Sequence, residues 1–223
     1  TVNTKMNVVK PLTITGVGGP TGVIFKSAGP TRLMDINHAD AIVERLTFTG
    51  VNLPAHPNSG AVVLDAGLLR YCWITNNALG TYGGGLRINA GTAHDLFLWT
   101  NSANHQNTGW GGGVCLYGGV LSNSVIIGNR SWDAGGGVAL LGNGRVANCV
   151  ITNNWMYGFN LTGGRGGGGV VLSAGQIENC LIAFNRLTHA SHTNGGGGLH
   201  DRRADASLYR HRKHPRGRLF QRR

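Results

Sequence analysis

The sequence predicts an all-β chain wound as a single-stranded, right-handed parallel β-helix of about seven or eight coils, and three regularities predict it. First, Val62, Leu86, Val114, Val138, Val170 and Leu199 each follow glycine, Val62 after Gly60-Ala61 and the others after runs of three or four, at intervals of 24, 28, 24, 32 and 29 residues. Second, apolar residues alternate after each run: Leu64, Ile88, Leu116, Leu140 and Leu172 come two positions on. A later segment aligns Cys72, Leu96, Ser124, Cys149 and Cys180, and two residues further Ile74, Leu98, Ile126, Ile151 and Ile182. Third, Asn77, Asn101, Asn129, Asn154 and Asn185 form an unbroken line three residues beyond those positions. Short strands stacked in register about 4.8 Å apart bring such columns together. Alternate side chains then fill a narrow core shared by successive coils. A stacked Asn at a tight turn can bond its own backbone and the Asn of the next coil. Glycine at the other corners supplies positive φ or close backbone passage.

The elements follow in chain order. Residues 1–59 read as irregular coils: Leu12-Thr-Ile14 and Val23-Ile24-Phe25 are short β-type runs split by Gly16, Gly18, Gly19 and Pro20. Leu33, Ile36, Ile42, Val43, Leu46 and Phe48 continue the pattern to Gly50. Residues 60–199 carry the regular glycine and Asn repeats, and the unit is clearest over 135–154, GGGVALLGNGRVANCVITNN. No long segment has helical periodicity. No run approaches the roughly 18 apolar residues of a membrane helix, and no basic segment followed by an apolar run marks an export signal at the start. The 38 glycines in 223 residues are far above the usual ~7%, without a collagen triplet.

The formal charge of +11 points at first to nucleic acid or an anionic surface. Its distribution removes that reading, because residues 200–223 hold nine of the 20 basic groups and two of the nine acids. The remaining chain carries only +4, so no nucleic-acid partner is expected. That Arg-rich tail breaks the repeat just after GGGGLH begins a new coil. Back-translated residues 201–218, read one base on, can encode TGGLMRHCTVTGNTHGGG, which is a further coil with its Asn and GGG. The tail therefore reads as a frameshifted continuation of the repeat, with a disordered basic arm as the alternative. The chain as a whole reads as a segment of a longer protein.

The motifs GGGL, GGGV and GGGGV followed by [I/L]-x-x-N, as in ITNN, resemble the GGA-[I/L/V] and F-x-x-N repeats of chlamydial polymorphic outer-membrane proteins. More broadly, the repeats resemble right-handed β-helix proteins of the pectin-lyase-like fold. Ile or Leu stands where the chlamydial family has Phe, and Gly where it has Ala. The resemblance implies a secreted, cell-surface or outer-membrane location and a role as passenger or adhesin. It also raises an alternative, a fragment of a polysaccharide lyase or glycoside hydrolase.

Fold alone does not supply an activity, so the residues must be weighed. Glycosidases need two carboxylates about 5–9.5 Å apart, and calcium-dependent lyases need several that converge on the ion. The acids Asp35, Asp40, Glu44, Asp65, Asp95, Asp133 and Glu178 form no such stack: Asp65 aligns with Asn89 and Tyr117, and Arg70, His94, Ser122 and Ala147 separate Glu44 from Glu178. No catalytic residue, metal site or cofactor is therefore assigned. His189 and His192 have i, i+3 spacing but no third ligand. Cys72, Cys149 and Cys180 fill the inward column as small hydrophobes, with an inter-coil disulfide as the alternative, and Cys115 points outward. Asn129-Arg-Ser and Asn160-Leu-Thr match glycosylation sequons, the first on the buried Asn line. The loops between the Asn line and the next glycine run carry Tyr82, Trp110, Trp132, Trp155, Tyr157 and Phe159 on one corner of the coil. These are the candidate binding residues. Their rings would stack on carbohydrate or anchor another surface protein, the competing role being to cover the end of the core.

Overall fold

The computed structural model describes residues 1–53, 60–106, 108–158, 166–188 and 197–201. It is an all-β parallel solenoid of about six turns. Among the described residues every element is a strand of two or three residues.

Four sheets run along the rod. The first stacks Met6–Val8, Met34–Ile36, Val62–Leu64, Leu86–Ile88, Val114–Leu116, Val138–Leu140, Val170–Leu172 and Leu199–Asp201. The second runs from Thr13–Thr15 through Ile42–Glu44, Leu68–Arg70, Thr92–His94, Val120–Ser122 and Arg145–Ala147 to Gln176–Glu178. The third contains Ile24–Lys26, Thr47–Thr49, Trp73–Thr75, Phe97–Trp99, Val125–Ile127, Val150–Thr152 and Leu181–Ala183. The fourth starts at Asn52–Leu53 and passes through Ala78–Leu79, Ser102–Ala103, Arg130–Ser131 and Trp155–Met156 to Arg186–Leu187. All neighbours are parallel and pair equivalent residues, for example Val138 with Val170 and Ile74 with Leu98.

The columns found in the sequence are therefore physical stacks. Val62, Leu86, Val114, Val138 and Val170 are buried, as are Ile74, Leu98, Ile126 and Ile151. A buried Ile or Leu contributes about 1.5–3 kcal/mol through removal of apolar surface from water, and each stack repeats that gain at every coil. A one-residue bend separates the second sheet from the third. Its backbone is left-handed at Arg45, Tyr71, Asp95, Asn123, Asn148 and Asn179, and the residue after each bend is the inward Leu46, Cys72, Leu96, Ser124, Cys149 or Cys180.

Residues 1–53 depart from the reading as irregular coils. Their strands share the register of the later ones: Met6 pairs with Met34, which pairs with Val62. The irregularity lies in one link. The chain takes residues 16–23 to pass from Thr13–Thr15 to Ile24–Lys26, with positive φ at Gly18 and Gly19. Later coils cross the same corner in two residues, such as Tyr71 and Cys72.

Candidate functional site

The interior corner between the third and fourth sheets is built by the Asn line. Asn77 Nδ2 donates to Asn101 Oδ1 at 3.0 Å, and the same bond at 3.0 Å joins Asn101 to Asn129, Asn129 to Asn154 and Asn154 to Asn185. Each Oδ1 also accepts the backbone N–H of the preceding Asn, at 2.9–3.2 Å. The second hydrogen of each Nδ2 goes to a strand carbonyl one coil back: Phe48, Ile74, Leu98, Ile126 and Ile151 in turn. The amide thus meets the backbone of a neighbouring coil more than its own turn. Asn129 alone among these also bonds within its own coil, to Ile127 O. In the buried Asn77, Asn101, Asn129 and Asn154 every side-chain donor and acceptor is engaged, which is what burial of an amide requires.

The glycine runs and the Asn line are two halves of this corner. At Gly137 an added Cβ would stand 2.8 Å from Asn154 Nδ2 and 2.9 Å from Gly169 O. Gly85, Gly113 and Gly169 meet Asn101, Asn129 and Asn185 in the same way. Gly135, two residues before Gly137, has φ of 60°. The third glycine of the run leaves room for the amide, and the first makes the turn.

The loop aromatics divide into separate groups. Tyr82 and Trp110 occupy the position just before the glycine run, where Tyr82 bridges Trp110 and Trp110 bridges Ala134. They are half-buried over the outer face of the first sheet, packed on Cys115, Ala134, Ala139 and Val171 together with Tyr117 and Leu141. Cys115 does point away from the main core, as its place between Val114 and Leu116 predicts, but these rings seal it. Trp132 and Tyr157 lie edge to face at 5.3 Å, with Arg130 over the Tyr157 ring and the Tyr157 hydroxyl donating to Asn104 Oδ1 at 2.7 Å. Trp155 is half-buried on the outer side of the fourth sheet beneath Arg186. Phe159 lies outside the described residues, as do Asn160, His189, His192 and tail residues 202–223.

Other exposed rings stand on and beside the outer face of the third sheet. Trp73 is 40% exposed and Trp99 46%, and Tyr71 at the adjoining bend is 43% exposed. Trp73 lies 5.9 Å from Phe97, and Phe97 6.4 Å from Trp99. Tyr71 meets His94 edge to face. The two outward columns of this sheet are Ile24, Thr47, Trp73, Phe97, Val125, Val150 and Leu181, and Lys26, Thr49, Thr75, Trp99, Ile127, Thr152 and Ala183. Lys26 is their one charged residue. Polar groups flank the rings at the next bend, where Thr100 Oγ1 donates to Asn76 Oδ1 at 2.6 Å. Both of these residues have left-handed backbone, and so has Phe184, which is 82% exposed in the same column. These rings are not among the loop aromatics that the sequence points to. The signal was present: Trp73, Phe97 and Trp99 sit one residue from the inward Ile74 and Leu98, so alternation turns them outward.

The acids are engaged one by one. Asp35 meets Lys5 and Arg32, Glu44 accepts from Arg70 and Thr15, and Glu178 meets Arg145. The Arg70 and Thr15 hydrogen bonds hold the Glu44 carboxyl below its ordinary range. Asp65 accepts from Asn89 at 2.6 Å, and buried Asp133 accepts from the Trp110 indole. Glu44 and Glu178 share an outward column, separated by four strands. Among the described residues no group of three or more His, Cys, Asp and Glu side chains converges. All four cysteines are free thiols, and burial pushes Cys72 up to about 12. No helix among the described residues is long and apolar enough to cross a membrane.

No protein-family model, curated protein or solved structure matches the chain.

Proposed function

We propose that this chain is a non-catalytic segment of a secreted or cell-surface bacterial protein, a rigid β-helical rod that displays an adhesive surface for carbohydrate. The observation that carries the reading is the open aromatic face of the third sheet. Soluble proteins seldom leave a contiguous apolar patch uncovered unless it meets a partner. Trp73, Phe97 and Trp99 offer flat rings for the C–H faces of sugars, with hydroxyl and amide groups beside them. A face with one charge among its outward columns suits a neutral polymer.

A right-handed winding belongs to this reading, because parallel β-crossovers overwhelmingly take that hand. So does kinship with pectin-lyase-like surface repeats, supported by GGG and [I/L]-x-x-N at successive coils. The test is binding of the purified chain to a glycan array and to insoluble polysaccharides, followed by tryptophan fluorescence, in parallel with lyase and hydrolase assays. Binding without turnover, lost on Trp73→Ala with Trp99→Ala, supports the reading. Turnover abolished by Asp65→Asn or Asp133→Asn overturns it in favour of a polysaccharide-active enzyme, and binding that survives loss of both tryptophans overturns the assignment of the face.

A further inference from the structure

The inward column that holds Cys72, Leu96 and Ser124 ends in two successive cysteines, Cys149 and Cys180. They immediately precede Val150–Thr152 and Leu181–Ala183, which pair in register, Val150 opposite Leu181. The cysteines are therefore direct neighbours on adjacent coils. The Cys149 backbone N–H donates to Cys180 Sγ at 3.4 Å. Each thiol also donates to the carbonyl two residues before it, at 3.2 Å: Cys149 to Ala147 and Cys180 to Glu178. The two side chains thus hang in the same direction, one above the other. In-register parallel neighbours stand about 4.8 Å apart, inside the Cα separation of 4.4–6.8 Å that a disulfide spans. The other thiols have no such partner: Cys72 stands between Leu46 and Leu96, and Cys115 is sealed in the aromatic cluster.

We infer that Cys149 and Cys180 are an oxidisable pair, which a small-molecule disulfide converts into a staple between two coils. The chemistry is directional because the two thiols differ. Cys180 is partly exposed, whereas Cys149 is buried. The contact with the Cys149 side chain and the hydrogen bond from its backbone N–H lower the Cys180 thiol, while the same contact and burial raise Cys149. The Cys180 thiolate attacks one sulfur of the oxidant, forming a mixed disulfide and releasing one small thiol. Cys149 then loses its proton to solvent and attacks Cys180 Sγ, which releases the second small thiol. Two protein thiols are oxidised to one disulfide, and one oxidant disulfide is reduced to two thiols. The rotation of one cysteine side chain within the column brings the sulfurs into bonding distance.

The test uses the full chain treated with oxidised glutathione, then alkylated and digested with trypsin. The expected product is a cross-link between peptides 146–165 and 166–186, with Cys72 and Cys115 recovered as alkylated thiols. The oxidised chain should melt at a higher temperature than the reduced one, since a cross-link restricts the unfolded ensemble. Cys149→Ser should accumulate the glutathione adduct at Cys180, whereas Cys180→Ser should leave Cys149 unmodified in the folded chain. Four alkylated thiols after oxidation of the native chain, a cross-link through Cys72 or Cys115, or a stable adduct on Cys149 would each overturn the inference. The wild-type peptide map decides the matter even if a serine variant folds poorly.

Discussion

The interior corner of Asn and Gly and the outer face of the third sheet are neighbours in the same coils, yet they are opposite in kind. At the corner every polar atom of Asn101, Asn129 and Asn154 is bonded and no space remains for a methyl group on Gly137. On the face, Trp73 and Trp99 are nearly half open to solvent and neither column is held to one residue type. Repetition marks what the rod needs in order to stack. Departure from repetition marks what stacking leaves free to vary.

The largest effect should come from breaking the corner. Asn129→Leu removes the Oδ1 that accepts from the Asn101 N–H and Nδ2 and the Nδ2 that donates to Leu98 O, while Asn154 Oδ1 keeps the backbone N–H of residue 129. Buried groups left unpaired cost about 1–3 kcal/mol each, so the loss should be on the order of 4 kcal/mol, read by urea denaturation. Next is Gly137→Ala, which drives a methyl against Asn154 and Gly169. It should cost about 2 kcal/mol as overpacking of a filled site. Both should weaken binding only by unfolding the rod.

A change at the face should act in the other direction. Phe184 has φ of 55° and hardly packs, so Phe184→Gly should relieve about 1 kcal/mol of left-handed strain and raise the melting temperature. If Phe184 belongs to the adhesive margin, the same change weakens glycan binding. The smallest effect lies on the second sheet, away from both regions. Because Arg70 and Thr15 hold the folded Glu44 below its unfolded value of 4.5, the ionised carboxylate stabilises the fold above that pH. The contribution fades as pH falls from 4.5 through the folded value. Urea midpoints of the wild type and Glu44→Gln should therefore differ at neutral pH and converge in acid.

The corner was legible in the sequence because Asn recurs at five successive coils, from Asn77 to Asn185, each facing a glycine run or the strand that follows one. Its lower end was not, since Val51 takes the Asn position one coil earlier and gives its N–H to Asn77 Oδ1. The first coils were less legible, since the longer link at residues 16–23 hides a register that Met6, Met34 and Val62 nevertheless share. The left-handed bends at Tyr71, Thr100 and Phe184 could not be read from residue type, because aromatic and β-branched residues normally avoid that region. Stacking on equivalent bends over-determines them here. The exposed aromatic face escapes notice for a related reason. Trp73, Phe97 and Trp99 occupy two columns and three positions, so they never form a line. Tyr82 and Trp110 drew attention as loop aromatics, but they roof Cys115 against the outer side of the first sheet.

The direct test of the contrast is to measure stability and glycan binding together for Asn129→Leu and for the Trp73→Ala, Trp99→Ala double variant. The expected result is a crossed pattern. The Asn129 variant loses several kcal/mol and binds normally for whatever fraction remains folded, while the tryptophan variant keeps its melting temperature within a few degrees and loses binding. A tryptophan variant that unfolds like the Asn129 variant, or one that binds as well as the wild type, would contradict the division of the coil into a corner that builds and a face that binds.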